Sequence, residues 1–175
     1  MGKIRQVNRV KLFAGMFSAD PEYFHRAEVV MAGLFGPVDF RTDILTFGPT
    51  DYYQEEMGQG LKRKFISFGN LIVPDELPAV KITTNKLEKE FADAKGRRRI
   101  NIDPGYVSAA KTVLATTKDY SHRLYLGQGI YGEVTLQFHS KTFQPLEWTY
   151  PDYRSTEYIA FFNSIREIYL RGHNT

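Results

Sequence analysis

The sequence predicts an α+β fold: a ferredoxin-like β-α-β-β-α-β core with a predominantly antiparallel sheet, extended by a helix, a β-hairpin and a C-terminal helix. Three observations predict it. Over residues 11–102, strand-length apolar runs and two amphipathic segments alternate in the order strand, helix, strand, strand, helix, strand. The stretch YLGQGIYGEVTLQF, residues 125–138, then sets glycines between two alternating runs. Finally Tyr158, Phe161, Phe162, Ile165, Ile168 and Tyr169 recur at helical spacing near the end of the chain.

The elements follow in order. KLFAGMFS, residues 11–18, is a short apolar run of strand length. Asp20-Pro21-Glu22 starts a helix, with a capping carboxylate, a proline whose φ is preset and an acid in the first turn. Phe24, Ala27, Met31, Leu34 and Phe35 form its apolar stripe, and Gly36-Pro37 ends it. VDFRTDILTF, residues 38–47, alternates as a strand; a polar connection follows, and LKRKFISF, residues 61–68, is the next strand. Pro74 and Pro78 bracket a second helix start, with Val80, Thr84, Leu87 and Phe91 as its seam and Lys and Glu over the rest. RRRINI, residues 97–102, closes the core as a strand, and Asp103-Pro104-Gly105 turns the chain. Residues 106–117 read as a short helix with Val113 and Leu114 inward, residues 122–126 and 130–138 as strands, and a helix begins near Ser155. In the second of those strands, Val134, Leu136 and Phe138 share one face and Glu133, Thr135 and Gln137 the other. The core helices are expected on one face of the sheet.

Composition bounds the function. The 175 residues are 42% hydrophobic, enough for one domain, 1–175, with a sizeable core. There is no cysteine, so disulfide scaffolds, thiolate metal sites and cysteine nucleophiles are excluded. The N-terminus is polar and basic, with no signal peptide or membrane span, and a cytoplasmic protein without membrane association is expected. A net charge of +3 permits an anionic ligand without demanding one. Lys62-Arg63-Lys64 and Arg97-Arg98-Arg99 are basic runs, but strand alternation splits each across two faces, and FISFGN lacks the aromatic pattern of an RNA-reading sheet. Nucleic-acid binding is therefore the disfavoured alternative.

The glycines spell G-x-G-x-x-G, the spacing of nucleotide-covering loops. A dinucleotide fingerprint needs a helix to leave the loop, because the helix N-terminus holds the pyrophosphate. Here EVTLQF leaves, and it alternates as a strand. A kinase loop would need a downstream lysine strand, an H-R-D loop and a D-F-G site, which are missing. The glycines read as a hairpin turn needing positive φ. No phosphate-loop motif G-x-x-x-x-G-K-[ST] occurs.

The segments TDYYQEEMGQGLKRKFISF, NIDPGY, LATTKDYSHRLYLGQGIYGEVTL and WTYPDYRSTEYIAFF resemble an uncharacterised bacterial family of unknown function, over nearly the whole chain. Members are sometimes labelled GTP-binding; the resemblance implies a soluble bacterial protein and no established activity.

Three polar segments lie at ends of predicted elements, where sites are commonly built. Asp51 and Tyr53 occupy one; Lys118, His122 and Arg123, followed by Tyr125, the second; Tyr150, Asp152 and Arg154 the third; Glu133 joins them from the hairpin. If they converge, Lys118, His122 and Arg123 hold an anion, Tyr53, Tyr125 and Tyr150 stack or hydrogen-bond, and Asp51, His122 and Glu133 are the acid–base candidates. The expectation is a small anionic or nucleotide-like ligand and a site that is a candidate for catalysis. Each residue also has a plain structural reading. Asp152 caps a helix, Lys118 closes another, and Arg123 pairs with Glu133 across the hairpin as a surface pair worth about 0–1 kcal/mol. The alternative class is a non-enzymatic interaction or assembly module, with a homo-oligomer compatible. The histidines show no metal-ligand spacing, so no metal is assigned, and no cofactor is indicated.

Overall fold

The computed structural model describes residues 2–46, 57 and 59–172. Its elements are β1 (Val10–Ser18), α1 (Glu22–Phe35), β2 (Val38–Arg41), β3 (Leu45–Thr46), β4 (Lys62–Ile72), α2 (Leu77–Glu90), β5 (Asn101–Val107), β6 (Lys111–Thr116), β7 (Leu124–Gly127), β8 (Ile130–His139), β9 (Thr142–Pro145) and α3 (Thr156–Arg171). One-turn 3-10 segments, Pro74–Glu76 and Pro151–Arg154, lead into α2 and α3. Among the described residues the strands form one sheet in the order β2-β4-β1-β5-β6-β8-β7, with β3 beside β4 and β9 beside β8. Every pairing is antiparallel.

Strand β1 is buried along its full length because helices cover both faces of the sheet. Its period of two separates the layers. Leu12, Ala14 and Met16 pack with Phe24, Ala27 and Met31 of α1 and with Val80 and Leu87 of α2. Phe13 faces the other way, onto Phe161, Phe162 and Ile165 of α3. The expectation of helices on one face thus holds for α1 and α2, while α3 covers the opposite face. The start of α1 is capped as its sequence requires: Asp20 Oδ1 accepts the Glu22 N–H at 3.0 Å. Ser155 Oγ does the same for α3, accepting the Tyr158 N–H at 3.3 Å.

The largest departure from the expected elements lies between residues 97 and 117. Residues 97–100 are not strand, and the helix expected over residues 106–117 is instead the second half of β5, a turn and β6. Ser108 makes the turn: its N–H donates to the Lys111 carbonyl at 2.9 Å, and its Oγ accepts from the N–H groups of Ala110 and Lys111. Alanines suit a helix locally, but Thr112 and Val113 are β-branched and pair across to Leu136 and Val134 of β8. Tertiary pairing overrides the local propensity. The expected strand at residues 38–47 is likewise broken into β2 and β3 within the described residues.

Asp103-Pro104-Gly105, expected as a turn, runs straight through β5. Its proline has a different consequence. β5 pairs with β1 from Asn101 to Val107, but with β6 only from Gly105 to Val107. On the β6 side, Pro104 has no N–H to donate, so a ladder cannot continue through it. At Gly105 the two strands still touch, and only because the residue is glycine: a Cβ there would lie 2.4 Å from the Val113 carbonyl oxygen and 2.6 Å from the Phe13 ring. Beyond this point β5 and β6 diverge. The freed backbone of Ile102 is taken up by α2, with its N–H donating to Glu88 Oε1 at 2.7 Å and its carbonyl accepting from Lys81 Nζ at 2.9 Å. The sheet is therefore split, and side chains of α2 finish its open edge.

The glycine hairpin is as expected. Gly127 and Gly129 have φ of 109° and 76°, and Ile130–His139 is strand. Its faces differ from simple alternation, however. A bulge between Thr112 and Val113 of β6 leaves Thr135 of β8 without a partner. Val134 consequently packs with Leu77 and Ile130, while Leu136 and Phe138 join the α3 cluster.

Candidate functional site

The divergence of β5 and β6 opens a cleft of about 770 Å³. One wall is Glu133 of β8 with the loop that precedes β7. Glu133 is 2% exposed, and its Oε2 accepts from Arg123 Nε at 2.9 Å and lies 3.0 Å from His122 Nε2. Its Oε1 is buried and has no hydrogen-bond partner among the described residues. Arg123 also donates to the Lys118 carbonyl at 3.0 Å and to Tyr150 Oη at 3.1 Å, and its guanidinium lies 4.5 Å from the centre of the Tyr120 ring. Burial works against its charge, but the hydrogen bonds to Glu133 and Tyr150 outweigh that and hold the guanidinium above its ordinary pKa. His122 stacks on Trp148, at 5.6 Å and 17°, and more loosely on Tyr120.

The second wall is built around Arg63 of β4. It donates to Asp152 Oδ2 at 2.7 Å and from Nε to Tyr158 Oη at 3.1 Å. Rings of Phe17, Phe65, Tyr153 and Tyr158 surround it at 5.2–5.6 Å. Burial disfavours its charge, yet the tyrosine hydroxyls and Asp152 raise its pKa above the ordinary value. Tyr153 is 3% exposed, lines the cleft, and its hydroxyl has no hydrogen-bond partner among the described residues. Burial pushes that phenol well above its usual range, so it stays a donor.

The third wall comes from α2 and the start of β5. Lys81 Nζ reaches Asp103 Oδ1 at 3.4 Å; Arg98 joins Glu88 Oε2 at 3.5 Å and Asn101 Oδ1 at 3.0 Å; Asn101 in turn donates to Asp103 at 2.9 Å. Burial, followed in effect by the Coulombic pull of Lys81 and the Ile102 N–H against it, leaves the Glu88 carboxyl above its usual range. Among the described residues, five basic side chains (Arg63, Lys81, Arg98, Lys118, Arg123) line the cleft against four carboxylates (Glu88, Asp103, Glu133, Asp152).

Of the residues singled out in the sequence, Lys118, Arg123, Glu133, Tyr150 and Asp152 line this cleft, and His122 sits behind Glu133. Tyr125 lies on β7, exposed and edge-on to Tyr131 at 5.4 Å, away from the cleft lining. Arg154 is turned onto the carbonyls of Leu146, Glu147 and Thr149, where it braces the turn before α3. Asp51 and Tyr53 lie outside the described residues. Arg123 and Glu133 do pair, but as a buried pair and not as the surface pair of the plain reading.

Sequence reasoning missed Arg63, Lys81, Glu88, Arg98, Asn101 and Asp103. For α2 the signal was present. Leu77, Lys81, Thr84 and Glu88 recur at spacings of four, three and four, the same stripe that carries the apolar seam, so Lys81 and Glu88 are on the inward face. Arg63 alternates with Lys62 and Lys64 and is the inward member of its run.

Fold and site together define an α+β protein whose antiparallel sheet lies between helical layers and is split to hold a charged cleft. The chain belongs to the family of the domain of unknown function DUF4416, whose family model matches residues 8–169. No curated protein and no solved structure matches it. Among the described residues, no group of three His, Asp or Glu side chains is arranged to hold a metal ion, and no helix is long and apolar enough to cross a membrane.

Proposed function

We propose that the cleft binds a small anionic molecule, with a nucleotide-like ligand within that class. The observation that carries the reading is the split between β5 and β6. It opens a concavity of about 770 Å³ lined by an excess of basic over acidic side chains. Its size falls in the range of small-molecule sites, roughly 300–1,000 Å³. Lys118 and Arg98 at the mouth attract the anion; Arg123 and Tyr150 shape its seat; Glu133, backed by His122, is the acid–base candidate. The β1–α1–β2–β4–α2–β5 portion is proposed as a ferredoxin-like unit, a reading supported by its order β2-β4-β1-β5 and by α1 and α2 packing on one face. The proposed setting is the cytoplasm, in a single domain.

The test is thermal unfolding with phosphate, pyrophosphate, citrate, nucleoside mono- and triphosphates and a short RNA. Saturable stabilisation by small anions, weakened in Lys118→Ala and Arg98→Ala, supports the reading. Stabilisation by RNA alone, or by none of them, overturns it.

A second reading, an assembly module, is favoured by one observation. The end strand β7 exposes Leu124, Tyr125 and Leu126 on an unpaired edge. Light scattering separates the two: a dimer dispersed by Leu124→Lys supports assembly, and a monomer at all concentrations removes it.

A further inference from the structure

Among the described residues, Glu133 Oε1 and Tyr153 Oη on the cleft walls are buried without hydrogen-bond partners, and they are complementary. Glu133 Oε1 belongs to a carboxylate paired through Oε2 with Arg123, and a carboxylate oxygen accepts hydrogen bonds and donates none. Tyr153 Oη, on the opposite wall, has a proton to donate. Both side chains are more than nine-tenths buried. A buried polar group left unmade is strongly disfavoured, whereas the same group is well served by a ligand atom. An anion without hydroxyl groups, such as sulfate or acetate, brings acceptors and no donor, and so offers nothing to Glu133.

The donor that suits Glu133 is neutral. Arg123 already balances the carboxylate, so an ammonium beside it would add an uncompensated charge to a buried site. A hydroxyl adds none, and it can donate to one wall while accepting from the other.

We propose that the ligand is a hydroxylated anion, a sugar phosphate or sugar acid, with its hydroxyl groups read by Glu133 and Tyr153 and its charge held by the basic mouth of the cleft. This rests on the anion reading above and adds the chemistry that selects among anions.

The experiment is calorimetric titration of the full chain with ribose 5-phosphate, glycerol 3-phosphate and gluconate, set against sulfate and acetate. At least one hydroxylated anion is expected to bind tenfold or more tightly than its plain counterpart. Tyr153→Phe removes only an unpartnered hydroxyl, so its apo melting temperature should not fall. It should narrow the gap about tenfold, with the binding of sulfate at the basic mouth little changed. Glu133→Gln should narrow it too, and the Tyr153→Phe arm stands by itself if that protein folds poorly. If plain and hydroxylated anions bind alike, or Tyr153→Phe keeps the full gap, the inference falls and the anion reading survives. If no anion binds, both fall.

Discussion

Arg123→Ala discriminates most sharply between a residue kept for a ligand and one built into the protein. If Arg123 served a ligand alone, the apo protein would tolerate its loss. The guanidinium, however, makes charge-assisted contacts to Glu133, the Lys118 carbonyl and Tyr150, and it lies over Tyr120. These terms are not additive, but removing one member of a buried ion pair typically costs about 3–5 kcal/mol, because the partner charge remains buried. Glu133 would keep only His122. For a chain of this length each kcal/mol lowers the melting temperature by roughly 2–4 °C, so the expected drop is about 6–20 °C. A surface pair would give at most about 1 kcal/mol and a shift of about 4 °C or less. Arg123→Lys, which keeps the charge but loses the planar fork, should fall between the wild type and Ala. The assay is urea and thermal unfolding of the apo protein, with a double-mutant cycle against Glu133→Ala. An unchanged midpoint in Arg123→Ala, or additive effects in the cycle, would refute the claim that this pair is a structural unit.

Other outcomes test other parts of the fold. Phe161 is 2% exposed and stacked on Phe65 at 5.0 Å, so Phe161→Ala should cost about 3–5 kcal/mol, and Phe161→Asp, which adds a buried charge, should yield protein without a cooperative melt. Gly105→Ala forces a Cβ against the Val113 carbonyl and should cost about 1–3 kcal/mol by urea titration, through strain at the mouth of the split. Glu88 sets a pH dependence. Its folded pKa lies above the ordinary value near 4.5 that holds in the unfolded chain, so between the two the folded state holds more protons and stability falls as pH rises. Glu88→Gln should flatten the stability–pH curve in the window that begins near 4.5 and extends up to the raised value. A mutant curve parallel to the wild type would show that this carboxyl does not titrate differently on folding.

The helices were legible because their signals are local and redundant. Asp20 before Pro21, the glycine after Phe35 and the aromatic stripe of α3 each state the same thing twice, once by cap and once by period. The hairpin was legible because Gly127 and Gly129 sit between two alternating runs and take the positive φ expected of them. The β5–β6 region was not, because Pro104 and Gly105 carry their meaning in a partner strand. Locally a proline and a glycine signal a turn; here one ends a ladder and the other admits a carbonyl from Val113. The site divides the same way. Lys118, Tyr150 and Asp152 stood at element ends and were found. Lys81 and Glu88 sit inside a helix, where charge normally means solvent, and only their shared stripe with Thr84 places them inward.

The split also explains why one wall of the cleft is suited to selecting a ligand and another is not. Antiparallel strands that part inside a protein leave backbone donors and acceptors to be satisfied. On the β5 side α2 answers with Lys81 and Glu88, which bond both backbone groups of Ile102, and Arg98 and Asn101 tie the same carboxylates together. Lys81 and Glu88 are spent on holding the edge open, and altering those two should disturb the sheet first. On the opposite wall β6 stays paired with β8 from Lys111 to Thr116 apart from the bulge at Thr112 and Val113, and the carbonyls of Val134 and Thr135 are taken up by Trp148 and Thr149, so the Glu133 side chain is not needed to finish the edge. Arg123 and His122 converge on a single oxygen of Glu133, which turns the carboxylate without exhausting it. The remaining oxygen is thus oriented by the fold and, among the described residues, unused by it, which is why the proposed discrimination between ligands is put at Glu133 and not at α2.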